Sequence, residues 1–128
     1  LISGDLALLH DSNGWLWRPQ LRGRLGVVLI DNAGGGIFEQ LPIRHEPTPQ
    51  AMDFERLFAM PQPVDAALLC AAHGVPHRRL EGLDQLAEAL DWLLELPLAV
   101  LELRSDRHAD ARLRQRLRTM ALELTPQP

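Results

Sequence analysis

An α/β domain, a parallel sheet flanked by helices, is what this sequence of 128 residues predicts, and three observations predict it. Two short, continuous apolar runs, LGVVLI at 25–30 and LAVLEL at 98–103, carry the pattern of strands buried on both faces. Helical patterns lie between and around them, at 64–73, 83–95 and 106–124. Strands alternating with helices of this length imply right-handed crossovers, hence parallel pairing and a sheet covered on both sides.

Each element has its own start or stop signal. A strand ends at Gly4-Asp5, and the first helix is expected to begin just after Asp5 and run to Trp15 or Trp17, before Pro19, with Gly14 a weak point inside it. After the strand at 25–30, residues 32–53 hold three consecutive glycines together with Pro42, Pro47 and Pro49, a loop longer than compact domains usually carry. The helix at 64–73 stops at Gly74, a weaker strand follows at 77–80, and the helix at 83–95 stops before Pro97. The last helix carries Leu113, Leu117, Met120 and Leu124 as an apolar stripe within an Arg-rich, solvated surface. Residues 1–125 are expected to form one domain, truncated at its N-terminal side, and 126–128 a tail.

Composition narrows the function classes. With 46% apolar and 23% charged residues the chain is that of an ordinary globular protein able to bury a core. No stretch approaches the length of a membrane span: the apolar segment 92–103 is broken by Glu95, Pro97 and Glu102. A net charge of −4 argues against generic nucleic-acid binding, although all 13 cations are Arg and six lie between Arg104 and Arg118. A single cysteine, Cys70, forms no internal disulfide and fits an apolar helix, and the N-terminus lacks the pattern of a signal peptide, so a cytoplasmic location is expected.

In an open parallel sheet, ligands bind beyond the carboxyl ends of the strands. Two such exits carry chemistry here. Gly4-Asp5 puts a carboxylate at a helix start, where free N–H groups also favour a phosphate. Asp31-Asn32-Ala33-Gly34-Gly35-Gly36 follows a buried strand with an amide oxygen and glycines that let backbone approach a ligand. Together they suit a magnesium–diphosphate site, because Mg2+ prefers hard oxygen ligands in octahedral array. A lone Gly-Asp turn is ordinarily an N-cap and a lone glycine run a flexible loop; their joint occurrence 27 residues apart carries the prediction.

At these residues the chain resembles the thiamin-diphosphate enzymes, whose motif is Gly-Asp followed downstream by an Asn. More narrowly, Gly4 to Gly14 (GDLALLHDSNG), Asp31 to Pro42 (DNAGGGIFEQLP), FERLF at 54–58 and AAHGVPH at 71–77 resemble the family of SEPHCHC synthases (2-succinyl-5-enolpyruvyl-6-hydroxy-3-cyclohexene-1-carboxylate synthases) of menaquinone and phylloquinone biosynthesis. The likeness covers nearly the whole chain and weakens after about Arg104. It implies the C-terminal, diphosphate-binding part of a transferase that uses thiamin diphosphate and Mg2+. It implies that Asp5, the Asn32 side chain and the Gly34 carbonyl ligate the metal, with Gly4, Leu6 and Gly35 beside the cofactor, and that Ile37, Phe38 and Leu41 wall the thiazolium and substrate.

The activity implied is decarboxylation of 2-oxoglutarate and addition of the succinyl carbanion to isochorismate. The resemblance implies a homo-oligomer, dimer or tetramer, because the glutamate that tunes the cofactor's aminopyrimidine comes from a separate domain, normally a partner subunit's. No residue of this chain takes that catalytic role, so the chain alone is expected to be inactive. Two departures from the wider motif are Leu6, where many thiamin enzymes have Gly, and Asp31, which adds a second carboxylate near the metal.

Several readings stay open on residues alone. Ile37, Phe38 and Leu41 fit loop anchors as well as a pocket wall. His10 and Asp11 fit a solvated cap better than a phosphate contact. His73 and His77 have helical metal-ligand spacing, but Gly74 and Pro76 break the helix that would align them. The alternatives in function are another thiamin-dependent carboligase or decarboxylase, of the acetolactate synthase type, and a non-catalytic domain that has kept the fold.

Overall fold

The computed structural model describes residues 1–44 and 53–124. Strands β1 (Ile2–Gly4), β2 (Leu25–Asp31), β3 (His77–Arg79) and β4 (Leu98–Arg104) form one sheet in the order β1-β2-β4-β3, and every pairing is parallel. Helices α1 (Asp5–Asp11), α2 (Ala66–Ala72), α3 (Leu86–Glu95) and α4 (Arg107–Leu124) accompany them. This is the α/β architecture expected, with β2 and β4, the two continuous apolar runs, paired side by side in the middle.

The period of two along β2 and β4 explains the layers. Val27, Leu29, Leu98 and Val100 point to one face, where Leu8 of α1, Trp15 and Cys70 of α2 bury against them. Ala99 and Leu101 point to the other, against Ala89 and Leu93 of α3, with Val28 half-buried beside them. Both faces are covered, so both strands lack the polar alternation of a half-exposed sheet. Cys70 is buried in this core, and burial pushes its thiol up to about 11, which leaves it an unreactive apolar group. Among the described residues no helix is long and apolar enough to cross a membrane.

The helices start and stop close to their signals. Asp65 caps α2 by accepting the Leu68 N–H at 2.9 Å, and His73 ends it before Gly74. A 3-10 turn, Leu83–Gln85, leads into α3. The predicted loop after Asn32 contains two 3-10 turns, Gly36–Gln40 and Pro42–Arg44; the rest of its proline-rich part, with Pro47 and Pro49, lies outside the described residues, as does the expected tail.

One expectation is corrected. The first helix is α-helical only to Asp11 and continues as a 3-10 helix, Ser12–Gln20, that contains Pro19 rather than ending before it. Looser hydrogen bonding after Gly14 accommodates a proline that an α-helix interior would reject. Trp15 belongs to the core, edge-on to His73 at 5.3 Å between ring centroids, while Leu16 and Trp17 stay exposed. The stripe of Leu113, Leu117, Met120 and Leu124 on α4 stays more than half exposed, and α4 meets the rest of the fold chiefly through the segment 36–40.

Candidate functional site

Parallel strands deliver their carboxyl ends to one edge of the sheet, and the candidate residues collect there. Gly4 pairs with Ile30, so Asp5 and the Asp31-Asn32 pair leave adjacent strands together. Asp5 Oδ2 accepts the N–H of Gly34 at 2.6 Å across 29 residues of sequence, which joins the two exits directly. Burial pushes the Asp5 carboxyl above the usual carboxylate range; the N–H groups of Gly34 and Leu6 draw it down, and the neighbouring charge of Asp31 raises it again. Among the described residues no cation forms an ion pair with Asp5.

The loop after β2 turns sharply. Ala33 at φ 60° and Gly34 at φ 118° are both in the left-handed region. Any Cβ on Gly34 would run into the Ala59 carbonyl, so only glycine fits there. The Gly34 carbonyl accepts the Gly36 N–H at 2.8 Å and keeps a second lone pair, while the Gly35 N–H donates to Ala59 at 2.6 Å. Asn32 is half-exposed, with its amide against Gly36. Asp31, the second carboxylate, accepts the Ala33 N–H at 3.2 Å and lies 3.5 Å from the Arg104 guanidinium, so its charge is partly compensated.

A cleft of about 460 Å³ opens at this edge, with Asp5, Leu6, Asp31, Ala33, Arg104 and Ser105 among its lining. A half-buried carboxylate that forms no ion pair among the described residues, beside an amide and a free carbonyl lone pair, is a hard-oxygen donor set that suits a divalent cation such as magnesium. Asp5 and Leu6 line the cleft, Gly34 is bonded to Asp5, and Gly4 and Asn32 lie at the ends of the paired strands; Asn32, Gly34 and Gly35 are not themselves part of the lining. Ile37, Phe38 and Leu41 are not part of this cleft's lining. Ile37 and Leu41 are exposed on the next turn, and Phe38 is half-buried edge-on to Phe58, at 5.9 Å between centroids.

His10, His73 and His77 take other partners. His10 and Asp11 bond to each other at 2.6 Å on the surface. His73 lies against Trp15, and His77 Nε2 lies 2.8 Å from Glu102, so the two do not converge on a metal.

Sequence reasoning missed a charged cluster beneath the loop. Arg107, in the first turn of α4, is buried; it donates through Nε to Glu39 at 2.9 Å, through one terminal nitrogen to the Ala33 carbonyl at 2.6 Å and through the other to Glu55. Arg44 holds Glu39 from the other side at 2.9 Å. Burial alone would push the Glu39 carboxyl up, but these two guanidiniums outweigh it and hold it below the usual range. Glu39, Glu55 and His108 come close enough to suggest a metal site, with ligand atoms within 4.8 Å, but Arg107 already bonds to both carboxylates. No local signal identifies Arg107: it opens an Arg-rich helix whose other arginines are exposed.

No family model matches the chain. Curated relatives do. It is 57% identical over its whole length to the 2-succinyl-5-enolpyruvyl-6-hydroxy-3-cyclohexene-1-carboxylate synthase of Synechococcus sp. (strain RCC307), covering 22% of that protein. Over 98% of the chain it is 54% identical to the enzyme of the same name from Parasynechococcus marenigrum (strain WH8102), again 22% of the relative. A protein of that name from Trichodesmium erythraeum (strain IMS101) matches at 46% over 89% of the chain and 19% of its own length. The chain spans about a fifth of the length of the curated relatives it matches. Identity of this order along the whole chain, in a parallel α/β fold that joins the Gly-Asp turn to the Asn-Ala-Gly-Gly-Gly loop, means that the chain belongs to the SEPHCHC synthase family, as a piece of such a protein.

Proposed function

We propose that the full-length protein is a thiamin-diphosphate-dependent transferase that decarboxylates 2-oxoglutarate and joins the remaining four-carbon unit to isochorismate, in menaquinone or phylloquinone biosynthesis. In this reading residues 1–125 are its C-terminal diphosphate-binding domain. Asp5, Asn32 and the Gly34 carbonyl hold Mg2+, with Gly4, Leu6 and Gly35 around the diphosphate. The observation that carries the reading is the bond from the Gly34 N–H to Asp5, which draws two motifs 29 residues apart to one point in a chain whose relatives bear the synthase name.

Thiamin diphosphate, when bound, would supply the electron sink that stabilises the electron pair left on the 2-oxo acid's carbon when carbon dioxide departs. The chain's own contribution is to hold and orient it and to keep water out. Ile37, Phe38 and Leu41, on the turn that follows the glycine loop, supply the apolar wall once the rest of the protein closes over them. The test is the full-length protein given 2-oxoglutarate with isochorismate, and pyruvate alone, with carbon dioxide and the coupled product followed by mass spectrometry. Formation of the isochorismate adduct is expected; coupling of two pyruvates without it would overturn the substrate reading in favour of an acetolactate synthase type. Phe38→Ala is expected to lower coupling more than decarboxylation, because water admitted to the site diverts the four-carbon unit to succinic semialdehyde.

The full-length protein is also expected to be a homo-oligomer, dimer or tetramer. Leu16 and Trp17, at 69% and 67% exposure, are large apolar groups of the kind that interfaces cover. Sedimentation of the Trp17→Ser variant is expected to show weakened association; an unchanged oligomer would take this turn out of the interface.

A further inference from the structure

We propose that Arg107 is a positioning residue for the magnesium–diphosphate loop: it sets the orientation of the Ala33–Gly34 peptide and, through it, of Asp5. The inference rests on the functional reading above. Its basis is that one peptide group has both ends held. Its carbonyl, from Ala33, accepts from Arg107 at 2.6 Å, and its N–H, from Gly34, donates to Asp5 at 2.6 Å. Rotating that peptide breaks both bonds at once.

The peptide needs holding. Ala33 at φ 60° is a non-glycine residue in the left-handed region, a conformation that persists only where the surroundings over-determine it. The Asp31 carboxylate holds the Ala33 N–H and Arg107 holds its carbonyl. Arg107 is itself immobilised. Buried, it spreads its planar fork over Glu39, Glu55 and Ala33, three acceptors from the two loop segments beside the site. Lysine would keep the charge and lose the fork, because a single ammonium cannot reach three separated acceptors in that geometry.

The experiment titrates the full-length protein with Mg2+ at saturating thiamin diphosphate by calorimetry, with the apo-protein melting temperature measured alongside. Arg107→Lys is expected to weaken Mg2+ binding about 10- to 100-fold, the usual cost of removing a residue that orients a ligand. Arg44→Lys is the control. It loses the other guanidinium on Glu39 but touches no loop peptide, so it is expected to lower the melting temperature and leave Mg2+ affinity unchanged. If Arg107→Lys does not fold, Glu55→Gln, at an exposed residue that supports one prong of the fork, is expected to weaken Mg2+ binding several-fold. Unchanged affinity in the folded Arg107 variant, or failing that in Glu55→Gln, overturns the positioning role. An equal loss in Arg44→Lys also overturns it, since the effect would then be one of general stability. Asp5→Ala is run in parallel: retained affinity there overturns the functional reading and this inference together, whereas loss there with retention in Arg107→Lys overturns only the inference.

Discussion

Asp5→Ala in the full-length protein is expected to abolish magnesium-dependent binding of thiamin diphosphate, a loss of at least about 100-fold, beyond what changes to residues that only orient the ligands usually cost. Two effects add. The substitution removes the only carboxylate among the proposed metal ligands, and it leaves the Gly34 N–H without its acceptor, so the glycine loop loses its tie to β1 as well. Asp5→Asn separates the two: an amide oxygen can still accept the Gly34 N–H but brings no charge, so the loop is expected to stay in place while metal affinity remains low. Calorimetry with Mg2+ and thiamin diphosphate reads the binding, and the apo-protein melting temperature reads the loop tie. Unchanged cofactor affinity in Asp5→Ala would remove Asp5 from the site. Burial and the neighbouring Asp31 raise the Asp5 carboxyl, and a bound divalent ion would offset both.

What the sequence made legible was local. LGVVLI and LAVLEL read as buried strands because a parallel sheet covered on both faces needs no polar alternation, and they are the adjacent central strands β2 and β4. The turns at Gly4-Asp5 and Asn32 to Gly36 were legible because turn chemistry is written in consecutive residues, and the fold sets them side by side. Arg107 was not, because its three acceptors, Glu55, Glu39 and Ala33, lie 52, 68 and 74 residues away and only the fold unites them. The extent of the first helix was not legible for a related reason: after Asp11 the chain passes from α to 3-10 geometry and accommodates Pro19, which no local signal announced. The stripe on α4 illustrates the converse, since an amphipathic pattern states that a face is apolar but not what covers it.

Glu102→Ala is expected to destabilise the fold by about 3–5 kcal/mol, the range for breaking a buried charge network from one side. Glu102 is fully buried on the central strand β4 and takes bonds from Arg79 at 3.0 Å, Arg104 at 2.9 Å and His77 at 2.8 Å. Where in the range the loss falls depends on what the stranded cations can find. Arg104 can turn to Asp31, 3.5 Å away, and Arg79 to Asp65, 3.9 Å away, and both side chains reach solvent. Only His77, whose side chain is buried, has no second carboxylate among the described residues, and because the two arginines do, the expected loss falls nearer the lower end. Burial alone would raise the Glu102 carboxyl, but the bonds from Arg79, Arg104 and His77 prevail and hold it below its ordinary value of 4.5. A carboxyl depressed in the folded state contributes stability that is present above the unfolded value and is lost as pH falls through the folded one. The gap between parent and variant is therefore expected to be full at neutral pH and to shrink below about pH 4.5, as the parent's carboxylate takes up its proton. Urea unfolding of the full-length protein, followed by tryptophan fluorescence across that window, reads both the size and the slope. A loss under about 1 kcal/mol at neutral pH would mean that the arginines, and not the carboxylate, bear the cost of burial in this network.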